Sequence, residues 1–491
     1  MHALLTTWSF LIAALISSFL AYAIYQCVLS PLAVFPGPTA AKLSKAWRAY
    51  VTYRGQWHKD LMGLHQRYGH VVRIGPRELS VGDPEAFLQI YRIANAFPKS
   101  ASYSVVQGSR PFDLTGERNE KTHTAQRKLV ARPYSMASTK KLEPQLDELV
   151  SNLLRKLDVL AAEPQAIDLG YWLQLFAFDV IGAVSFSKPF GFVSAGSDDG
   201  LFDRLERTMR SAAWLMHAGW FFRLHQKFIL PWFGNWLAVN DRNGYFFQFA
   251  QREVQARKDK GGSDMDIVGQ LFQAQQSKPE INDLTIAFMM TSNVFAGSDT
   301  TSIALRGIFL NLIRHPRILA KLRAELRPLP TIIASPEAEA CAYLQAVIHE
   351  SLRLYSPAAF ILDRDVPPEG MIIGGRHVPG GTTVGTSPWV IHRSPLVWGE
   401  DADQFRPERW LESEDPGSLR RFFFAFGGGT RTCIGRNISL LEIEKLVPTL
   451  LMRYDFTLSD DTTISEDCGA LVFLKGLRVK ISRLDEDSAA S

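Results

Sequence analysis

Cysteine is scarce in this chain of 491 residues, and the four that occur lie far apart. None has the close pairing that a zinc ribbon or a disulfide scaffold needs, so both are excluded and a reducing compartment is favoured. Charge of one sign is weak too, because a net charge of +4 gives no support for a nucleic-acid partner. No linker divides the chain, which predicts one large folded domain. The cysteines are Cys27, Cys341, Cys433 and Cys468.

Asp, Glu, Lys and Arg are all absent before Lys42. Within that segment an apolar run of 22 residues extends from Trp8 to Leu29. As a helix it would be about 33 Å long, close to the thickness of a bilayer core, so we predict a transmembrane anchor over residues 1–30. The alternative is a cleaved signal peptide, because residues 21–23 resemble a small-residue cleavage site. The missing basic start and the length of the run favour the anchor.

The residues after the span predict its orientation and a hinge. Prolines and a glycine interrupt the helix and predict a stiff hinge over residues 31–41. Basic residues follow, and by the positive-inside rule they keep the bulk of the chain, residues 42–491, in the cytosol. These basic residues are Lys42, Lys45, Arg48 and Arg54.

The stretch FFFAFGGGTRTCIG, residues 422–435, presents one cysteine behind a glycine-rich loop. Three glycines allow a tight turn that points N–H groups at the sulfur of Cys433, and a helical pattern beginning near Gly435 adds partial positive charge. Both effects favour a thiolate that binds one metal ion. Arg431 would direct a fixed cation toward a carboxylate beside that metal. The simpler alternative is a buried structural cysteine.

A long apolar helix is predicted over residues 282–314, with Asn282 or Asp283 as its cap. It would be about 46 Å long, enough to cross a domain. Its middle reads AGSDTT, and an acid and an alcohol in so apolar a helix are costly unless they serve a function. The alternative is a threonine that bonds back to a carbonyl of its own helix. Four residues would share one face, leaving space and supplying protons: Ala296, Asp299, Thr300 and Ile303.

Two further pairs of charged residues have helical spacing. His123 and Arg127 are four residues apart, and Glu350 and Arg353 are three apart in an otherwise apolar helix. The simplest interpretation of each pair is an exposed helix face, on which the Glu350–Arg353 ion pair would contribute only about 0.5 kcal/mol.

Together these stretches resemble the cytochrome P-450 haem-thiolate monooxygenases, over nearly the whole chain after the anchor. Residues 296–301 match the family's oxygen-activation motif at each position. The resemblance implies a mainly α protein with a smaller β-rich part (α+β), the cytochrome P-450 fold, with one N-terminal transmembrane helix. All fixed positions of the family's haem-binding signature are filled: Phe426, Gly427, Gly429, Arg431, Cys433 and Gly435.

The resemblance also implies the function of individual residues. Haem b would bind with its iron axially ligated by Cys433, and Asp299 and Thr300 would deliver protons. A buried network would support the haem loop structurally, formed by Glu350, Arg353 and Arg409. The haem propionates would be bound by His123, Arg127, Arg364 and Arg431.

The implied activity is a monooxygenase that uses O2, with electrons from NADPH through an NADPH-cytochrome reductase, to oxidise a lipophilic small molecule. The stretches FPGP, RKLVARPYSM and DVIGAVSF look most like fungal members of secondary metabolism. The expected location is the endoplasmic reticulum membrane, single-pass, with the haem-thiolate catalytic domain cytosolic. Two alternatives remain. One is a haem-thiolate isomerase or dehydratase, against which Asp299 and Thr300 argue, and the other is a non-catalytic membrane haem-binding sensor.

Other segments give weaker expectations. An apolar strand-like run over residues 357–362 would line the substrate cavity with Leu471 and Val472, although core packing explains such residues equally well. The aromatic-rich residues 201–260 would form helices and a lid that touches membrane lipid. Pro448 predicts a kink or an early end of the helix after Cys433. A reductase would dock by electrostatic steering on Lys128, Arg132, Lys140 and Lys141.

Overall fold

The structure is a computed structural model, and it describes residues 2–94, 96–234, 236–261, 265–413 and 415–484. Helices predominate and the strands are short, as predicted. Within the described ranges, the helices of nine or more residues are α1 His2–Ile24, α2 Lys45–Tyr53, α3 Trp57–Tyr68, α4 Glu120–Val130, α5 Glu143–Ala161, α6 Leu169–Phe186, α7 Leu201–Leu215, α8 Tyr245–Lys260, α9 Ile267–Gln275, α10 Asp283–Arg314, α11 Pro316–Leu326, α12 Ala342–Leu354 and α13 Arg436–Arg453. Shorter α-helices cover Thr39–Leu43, Pro84–Ile90, Ser104–Gln107, Met136–Lys140, Phe192–Ala195, Gly219–Leu224, Leu230–Phe233, Ser335–Ala340, Pro388–Ile391, Pro395–Trp398, Arg409–Glu412 and Pro416–Phe422.

The strands form four small sheets in the described part of the chain. The largest has the order β1-β2-β7-β4, in which β2 and β7 are parallel and the other neighbours antiparallel. A second sheet has the order β3-β11-β8, and two hairpins pair β5 with β6 and β9 with β10. The strands are β1 Val71–Gly75, β2 Glu78–Val81, β3 Ile167–Asp168, β4 Arg364–Asp365, β5 Met371–Ile373, β6 Arg376–Val378, β7 Thr383–Gly385, β8 Tyr454–Leu458, β9 Ser465–Cys468, β10 Val472–Lys475 and β11 Arg478–Arg483.

Two helices are long and apolar enough to cross a membrane, among the residues described. The first covers Thr7–Leu29, where α1 continues into a π-helix over Tyr25–Leu29, and only 6% of its apolar window is buried. The second is α6, of which 89% is buried, so it is a core helix. The exposed N-terminal helix fits the predicted single anchor.

The segment after the anchor is packed against the β1–β2 hairpin. The guanidinium of Arg73, which is fully buried, donates hydrogen bonds to the backbone and side-chain oxygens of Gln26 at 2.7 and 2.6 Å. Leu32 and Phe35 are each 2% exposed and join the core beside this sheet. Gly37 allows this close approach, because a Cβ there would lie 2.1 Å from the Arg73 carbonyl oxygen. We call Gln26, Leu32, Phe35 and Arg73 the anchor joint.

Helix α10 crosses the core and has the predicted length and cap. It contains 32 residues, and the side chain of Asn282 accepts a hydrogen bond from the N–H of Thr285 at its first turn. Most of its residues are buried, so the helix is stabilised by packing rather than by an amphipathic surface pattern. The same core contains α6, which is buried along almost its whole length.

Helix α13 corrects one expectation from the sequence. It does not end early at Pro448 but continues to Arg453. The segment from Ile443 to Leu451 is buried, so packing holds the helix across the hydrogen bond that proline lacks.

The apolar run over residues 357–362 is not a strand, contrary to expectation. Only Ala358 forms an isolated bridge, with Leu471, and β4 begins later at Arg364. The backbone N–H groups of Ala359 and Leu362 donate to two different partners, the carbonyls of Ala470 and Thr386, so no continuous ladder forms.

Arg48 does not belong to the basic surface that follows the anchor. It is 1% exposed and forms ion pairs with Glu78 at 3.1 Å and with Asp363 at 3.0 Å. Its charge is therefore balanced inside the domain.

Candidate active site

The cysteine loop has the tight backbone that its glycines predict. Gly427 and Gly429 have positive φ angles of 70° and 61°. A Cβ at Gly429 would lie 2.5 Å from the carbonyl oxygen of Tyr91, so the loop lies against the preceding structure. The N–H of Cys433 donates to the carbonyl of Phe426 at 2.8 Å and closes the loop. Helix α13 begins three residues after the cysteine.

Cys433 differs from the other cysteines because it is exposed, whereas Cys341 and Cys468 are buried. Although the residue is accessible, the surrounding protein displaces bulk water and this desolvation raises the pKa of its thiol. The N–H groups of Gly435 and Arg436 and the charge of Arg127 act in the opposite direction but are weaker. The N–H groups and the nearby positive charge are the groups that the sequence predicted, and a bound metal ion would further favour the thiolate. No cluster of three or more His, Cys, Asp or Glu occurs in the described residues that could hold a metal ion.

Helix α10 is connected by hydrogen bonds at two positions to the first turn of α13, which directly follows the cysteine loop. The hydroxyl of Thr301 is 3.0 Å from that of Ser439. About two turns earlier, Asn293 accepts a hydrogen bond from the hydroxyl of Tyr134 at 2.8 Å, and the Tyr134 carbonyl accepts one from Asn437 at 2.9 Å. The helix segment between these two attachments therefore lies beside the segment that follows Cys433.

That segment of α10 contains accessible residues, which is unusual in so buried a helix. Ala296 is exposed and Thr300 is partly exposed. The hydroxyl of Thr300 donates to the carbonyl of Ala296 at 2.6 Å, so its oxygen lone pairs remain free to accept a proton or hydrogen bond. The back-bonded threonine that the sequence offered as an alternative is thus present, but on an accessible face.

Asp299 does not share that accessible face, contrary to the helical-wheel expectation. It is 1% exposed and accepts a hydrogen bond from the side-chain amide of Gln174 on α6 at 2.8 Å. Gln174 in turn accepts from Arg306 at 2.6 Å. Burial raises the pKa of Asp299 to about 7, although Gln174 and Arg306 act to lower it. A carboxyl group with this pKa can both hold and release a proton near neutral pH.

Gly297 has a packing function that the sequence did not indicate. A Cβ at this position would lie 2.4 Å from the side chain of Ile181, so the glycine allows α6 and α10 to pack closely. Ile303 is fully buried. The space beside this helix therefore depends on Ala296 and Thr300 rather than on all four predicted residues.

Five cationic or ionisable side chains meet beside the cysteine loop, and we call them the cation cluster. His123, on α4, is 2% exposed and its Nδ1 atom has no hydrogen-bond partner. Arg364 is 4% exposed and donates to the backbone carbonyls of Asp363 and Leu362, at 3.0 and 3.2 Å. Burial, followed by the charges of Arg431 and Lys99, lowers the pKa of His123 to about 3. The cluster comprises Lys99, His123, Arg127, Arg364 and Arg431.

Two members of the cation cluster also hold the loop in place. Arg127 donates to the carbonyl of Thr432, next to the cysteine, at 2.8 Å. Arg431 is paired with the carboxylate of Glu120 at 2.6 Å and donates to the Glu117 carbonyl at 2.8 Å. Arg431 is therefore partly neutralised, whereas the sequence predicted a cation free to face a carboxylate beside the metal.

Glu350, Arg353 and Arg409 meet as the sequence predicts, and we call them the Glu350 network. They are 0%, 0% and 4% exposed. Arg353 and Arg409 each donate to the Glu350 carboxylate at 2.8 Å, and the indole N–H of Trp410 donates at 2.9 Å. The remaining guanidinium N–H groups donate to carbonyls such as those of His392 and Ala402. Every charge in the network is thus paired and hydrogen-bonded.

His392 connects the Glu350 network to the cysteine loop, and sequence reasoning missed it. Its Nε2 atom accepts a hydrogen bond from the N–H of Phe424 at 2.7 Å, so Nδ1 carries the proton and donates to the Arg353 carbonyl at 2.9 Å. Burial and the charge of Arg353 hold the pKa of His392 well below its usual range. The neutral ring is therefore fixed in one tautomer.

The segment predicted to line a substrate cavity borders a much smaller void. Phe360 and Ile361 line a cavity of about 10 Å³, room for about one water molecule, together with Gly469 and Ala470. This void is too small for a substrate, so the predicted cavity wall stays a prediction. Leu471 and Val472 are buried beside it, at 5% and 0% exposure. The other lining residues lie on α2, α3 and α7, on the segment that follows α7, and just after Ile361 in the chain. They are Arg48, Thr52, Trp57, Ala213, Met216, His217 and Asp363.

The donor set fits a haem. An accessible cysteine on a glycine-rich loop suits an iron ligand, and the unpartnered Nδ1 of His123 and the unpaired charges of Lys99 and Arg364 suit two carboxylates. Lys99, His392 and Gln174 escaped the sequence analysis because each depends on a partner far away in the chain. The weak signal for Lys99 was a charged residue among apolar and aromatic neighbours.

Comparison with known proteins agrees with this geometry. The family model described as Cytochrome P450 matches residues 36–481. The chain is 55% identical over 465 residues to cytochrome P450 monooxygenase hepC of Aspergillus oryzae, covering 89% of this chain and 90% of that protein. It is 34% identical to cytochrome P450 monooxygenase pkfB of Emericella nidulans, with 91% of each chain covered, and 34% identical to pisatin demethylase of Fusarium vanettenii, with 91% and 88% covered. The chain therefore belongs to the cytochrome P450 family and is a haem-thiolate monooxygenase.

Proposed function

We propose that this P450 oxidises a lipophilic small molecule of fungal secondary metabolism, with Cys433 as the iron ligand and with NADPH as the electron source. One observation carries the proposal. Accessible residues lie on neighbouring elements, Cys433 on the loop and Ala296 and Thr300 on α10, and hydrogen bonds on both sides of Thr300 connect α10 to the structure around the loop. A reacting centre bound by the cysteine would thus face an alcohol.

Bound haem supplies the redox-active iron at which dioxygen is reduced. The protein supplies binding, protons and exclusion of water. His123, Arg127, Arg364 and Arg431 are the proposed partners of the propionates, because the three arginines are cationic and the Nδ1 atom of His123 has no hydrogen-bond partner. The Glu350 network holds the meander over residues 392–410 and, through His392, the loop in front of the cysteine.

Proton delivery is assigned to Asp299 and Thr300. The pKa of Asp299, raised to about 7, allows the carboxyl group to exchange protons at working pH. The Thr300 hydroxyl, held through its own proton on the Ala296 carbonyl, presents lone pairs to the accessible space. Gln174 and Arg306 hold Asp299 in place from α6 and α10.

The cysteine assignment is tested with the reduced protein and carbon monoxide. We expect the absorption band typical of a thiolate-ligated carbonyl haem in the wild type and in the control variant Cys341→Ser, and its loss in Cys433→Ser. A persistent band in Cys433→Ser, or no band in the wild type, would overturn the assignment.

Thr300→Ala tests proton delivery. We expect this variant to consume NADPH while releasing mainly peroxide, because the hydroxyl that would hand on protons is missing, with coupling to product falling by roughly tenfold or more. Peroxide, NADPH and product are measured together. The matched control is Thr301→Ser, which retains the hydroxyl beside Ser439. Tight coupling in Thr300→Ala contradicts the proposal.

Members of this family take electrons from a redox partner and act on small molecules. The proposed partner here is an NADPH-cytochrome reductase that docks on an exposed basic surface around the cysteine loop. Its members Lys128, Arg132 and Arg436 are exposed, whereas Lys140 is paired with Glu339 at 2.9 Å and contributes less. Reversal of charge in Arg132→Glu should slow the first electron transfer most at low ionic strength.

The proposed location is the endoplasmic reticulum membrane, with a second contact besides the anchor. Trp220, Trp232, Phe233 and Trp236 are 67%, 83%, 79% and 56% exposed, and these residues lie around the short helix Leu230–Phe233. So large an exposed apolar patch suits a lipid surface. A spin label at Trp232→Cys in the full chain in nanodiscs should be reached by oxygen more than by a polar nickel reagent, unlike a label at Leu396→Cys.

The substrate class follows from the relatives and the apolar interior. Two of the named relatives are cytochrome P450 monooxygenases, of Aspergillus oryzae and Emericella nidulans, and a third is named for the demethylation of pisatin. The most direct test incubates membranes that contain this protein and a reductase with candidate pathway intermediates. A product with one added oxygen that requires NADPH supports the proposal, whereas NADPH-independent turnover supports an isomerase or dehydratase.

A further inference from the structure

Asp299 and Arg306 are two buried ionisable residues of α10 that do not pair with each other. They are seven residues apart, so they share one face of the helix with an axial rise of about 10.5 Å between them. They are 1% and 6% exposed. Neither forms an ion pair with another of the described residues, and every nitrogen of the Arg306 guanidinium donates to an uncharged oxygen. The fold therefore keeps apart two groups of opposite charge that would otherwise attract each other strongly in the core.

Gln174 of α6 lies between them. Its side-chain oxygen accepts a hydrogen bond from Arg306 at 2.6 Å, and its amide nitrogen donates to Oδ1 of Asp299 at 2.8 Å. A guanidinium can only donate and a carboxylate can only accept, so these two partners together determine which way the amide is turned. Gln174 is 8% exposed, which leaves little competition from water. Its N–H group is therefore directed at the acid.

Arg306 holds this arrangement from a fixed position. Besides Gln174, it donates to the carbonyl of Gly170 in the first turn of α6 at 3.0 Å and to the carbonyl of Leu474 in β10 at 2.8 Å. A Cβ at Gly170 would lie 3.0 Å from Nε of Arg306, so the glycine makes room for the guanidinium. Arg306 could approach Asp299 only by breaking these hydrogen bonds.

The charged groups around Asp299 show what a neutral neighbour changes. Burial raises the pKa of Asp299 to about 7, while the hydrogen bond from Gln174 and the charge of Arg306 oppose this rise. Glu206 of α7 acts in the same direction as burial, and it is itself paired with Lys475 of β10 at 2.6 Å. Direct contact with a cation would lower the pKa of a carboxyl group by about one to three pH units and leave it ionised. The amide of Gln174 provides a donor without that charge.

We propose that Gln174 is a positioning residue for proton delivery, because its neutral amide separates Arg306 from Asp299 and prevents an ion pair that would hold the acid as a carboxylate. This inference rests on the proposed assignment of proton delivery to Asp299. Both forms of the acid can accept the N–H of Gln174, the neutral form through its carbonyl oxygen and the carboxylate through either oxygen. Asp299 can therefore release one proton and take up another while Arg306 stays in place.

The first measurement is an infrared titration of the haem-loaded full chain between about pH 5 and pH 9, which brackets the range in which Asp299 exchanges its proton. The carboxyl band of Asp299 is assigned by its absence when Asp299→Asn is added to the same background. Gln174→Met retains the length of the side chain without the donor, and we expect it to bind the Asp299 proton about tenfold more tightly than the wild type. Gln174→Glu retains an acceptor for Arg306 but adds negative charge, and it should bind the proton more tightly still.

The second measurement follows the peroxide released per NADPH consumed as the pH is varied, with a reductase and no added substrate. The pH midpoint of this ratio should rise together with the infrared midpoint in both variants. A merely structural function of Gln174 would change the ratio at every pH without moving its midpoint. The matched control is Gln345→Met on α12, because Gln345 also donates to a buried carboxylate, that of Glu444, at 2.9 Å. This control should keep both midpoints of the wild type.

The inference and the assignment on which it rests fail in different ways. An infrared midpoint that is unchanged or lower in both Gln174→Met and Gln174→Glu overturns the function proposed for Gln174. A wild-type peroxide ratio at every pH in Asp299→Asn overturns proton delivery by Asp299 itself, whatever the infrared midpoints are. Because the two Gln174 variants differ in whether they retain a partner for Arg306, misfolding of one still leaves the other to decide.

Discussion

Two buried groups of cations in the P450 differ in how their charges are paired. In the Glu350 network, one carboxylate receives hydrogen bonds from two arginines and a tryptophan, and the remaining N–H groups reach backbone carbonyls. In the cation cluster, Lys99 and Arg364 contact carbonyl groups and aromatic rings but form no ion pair with a carboxylate of the described residues, and His123 has an unpartnered ring nitrogen. Each group is connected to the cysteine loop by hydrogen bonds. Arg127 donates to the Thr432 carbonyl, and His392 links Arg353 to Phe424.

The difference shows how buried charge divides between structure and binding. A charged group that is fully paired within the chain gains nothing from a ligand, and its removal leaves its partners stranded. A group that the chain leaves unbalanced is destabilising until an anion arrives. In the haem-free protein, deletion of a charge should therefore lower the free energy of unfolding in the Glu350 network and raise it in the cation cluster.

Glu350→Ala is the largest perturbation of the balanced region. It leaves two buried guanidinium groups and the Trp410 indole without their acceptor, so we expect a loss of about 3–5 kcal/mol in the free energy of unfolding and little haem incorporation. Chemical unfolding and the ratio of haem absorbance to protein absorbance measure the two effects. Glu369→Ala, at an exposed site, is the control. Normal haem occupancy in Glu350→Ala would contradict the supporting function of the network.

Arg364→Met applies the same kind of deletion to the unbalanced region. Lys99 and Arg364 pair in an isolated antiparallel bridge. Removing one of these two opposed cations should stabilise the haem-free protein by about 1 kcal/mol, the range of cross-strand pair energies, while weakening haem retention. Thermal unfolding of both forms gives the two signs. Equal destabilisation of the haem-free and haem-loaded forms would erase the distinction between the regions.

His123→Gln gives the smallest effect and sharpens the comparison through pH. The folded pKa of His123 is about 3, against about 6.5 in an unfolded chain. Between these values the unfolded state binds more protons, so this residue's contribution to stability is complete above pH 6.5 and declines as the pH falls toward 3. The haem-free variant should therefore lose less stability between pH 7 and pH 5 than the wild type does. Parallel Tm curves would argue against this.

Local sequence spacing predicted the elements whose partners lie nearby. The cysteine loop, the caps of α10 and the Glu350–Arg353 pair all depend on residues within one or two turns, and Arg409 came from the family pattern. The fold class followed from the same resemblance. Pro448 misled because an isolated proline signal is weaker than burial of the whole helix around it.

The missed residues all depend on contacts between distant segments. Lys99 pairs with Arg364, Gln174 with Asp299 and His392 with Phe424, and no periodicity links the members of these pairs. The assignment of Asp299 to the accessible face failed for the same reason. A helical wheel gives the direction of a side chain but not the neighbour that binds it, and Gln174 on α6 binds this one.

The anchor joint attaches the catalytic domain firmly to the apolar N-terminal helix. Arg73 donates two hydrogen bonds to Gln26 in the last turn of that helix, so the helix and the domain would move together. The height of the domain above the lipid would then depend on the depth of the helix in the bilayer. A thinner bilayer would change the tilt or depth of the helix, and the joint would carry Trp232 and Phe233 with it. Membrane thickness would therefore affect how the catalytic domain lies on the bilayer.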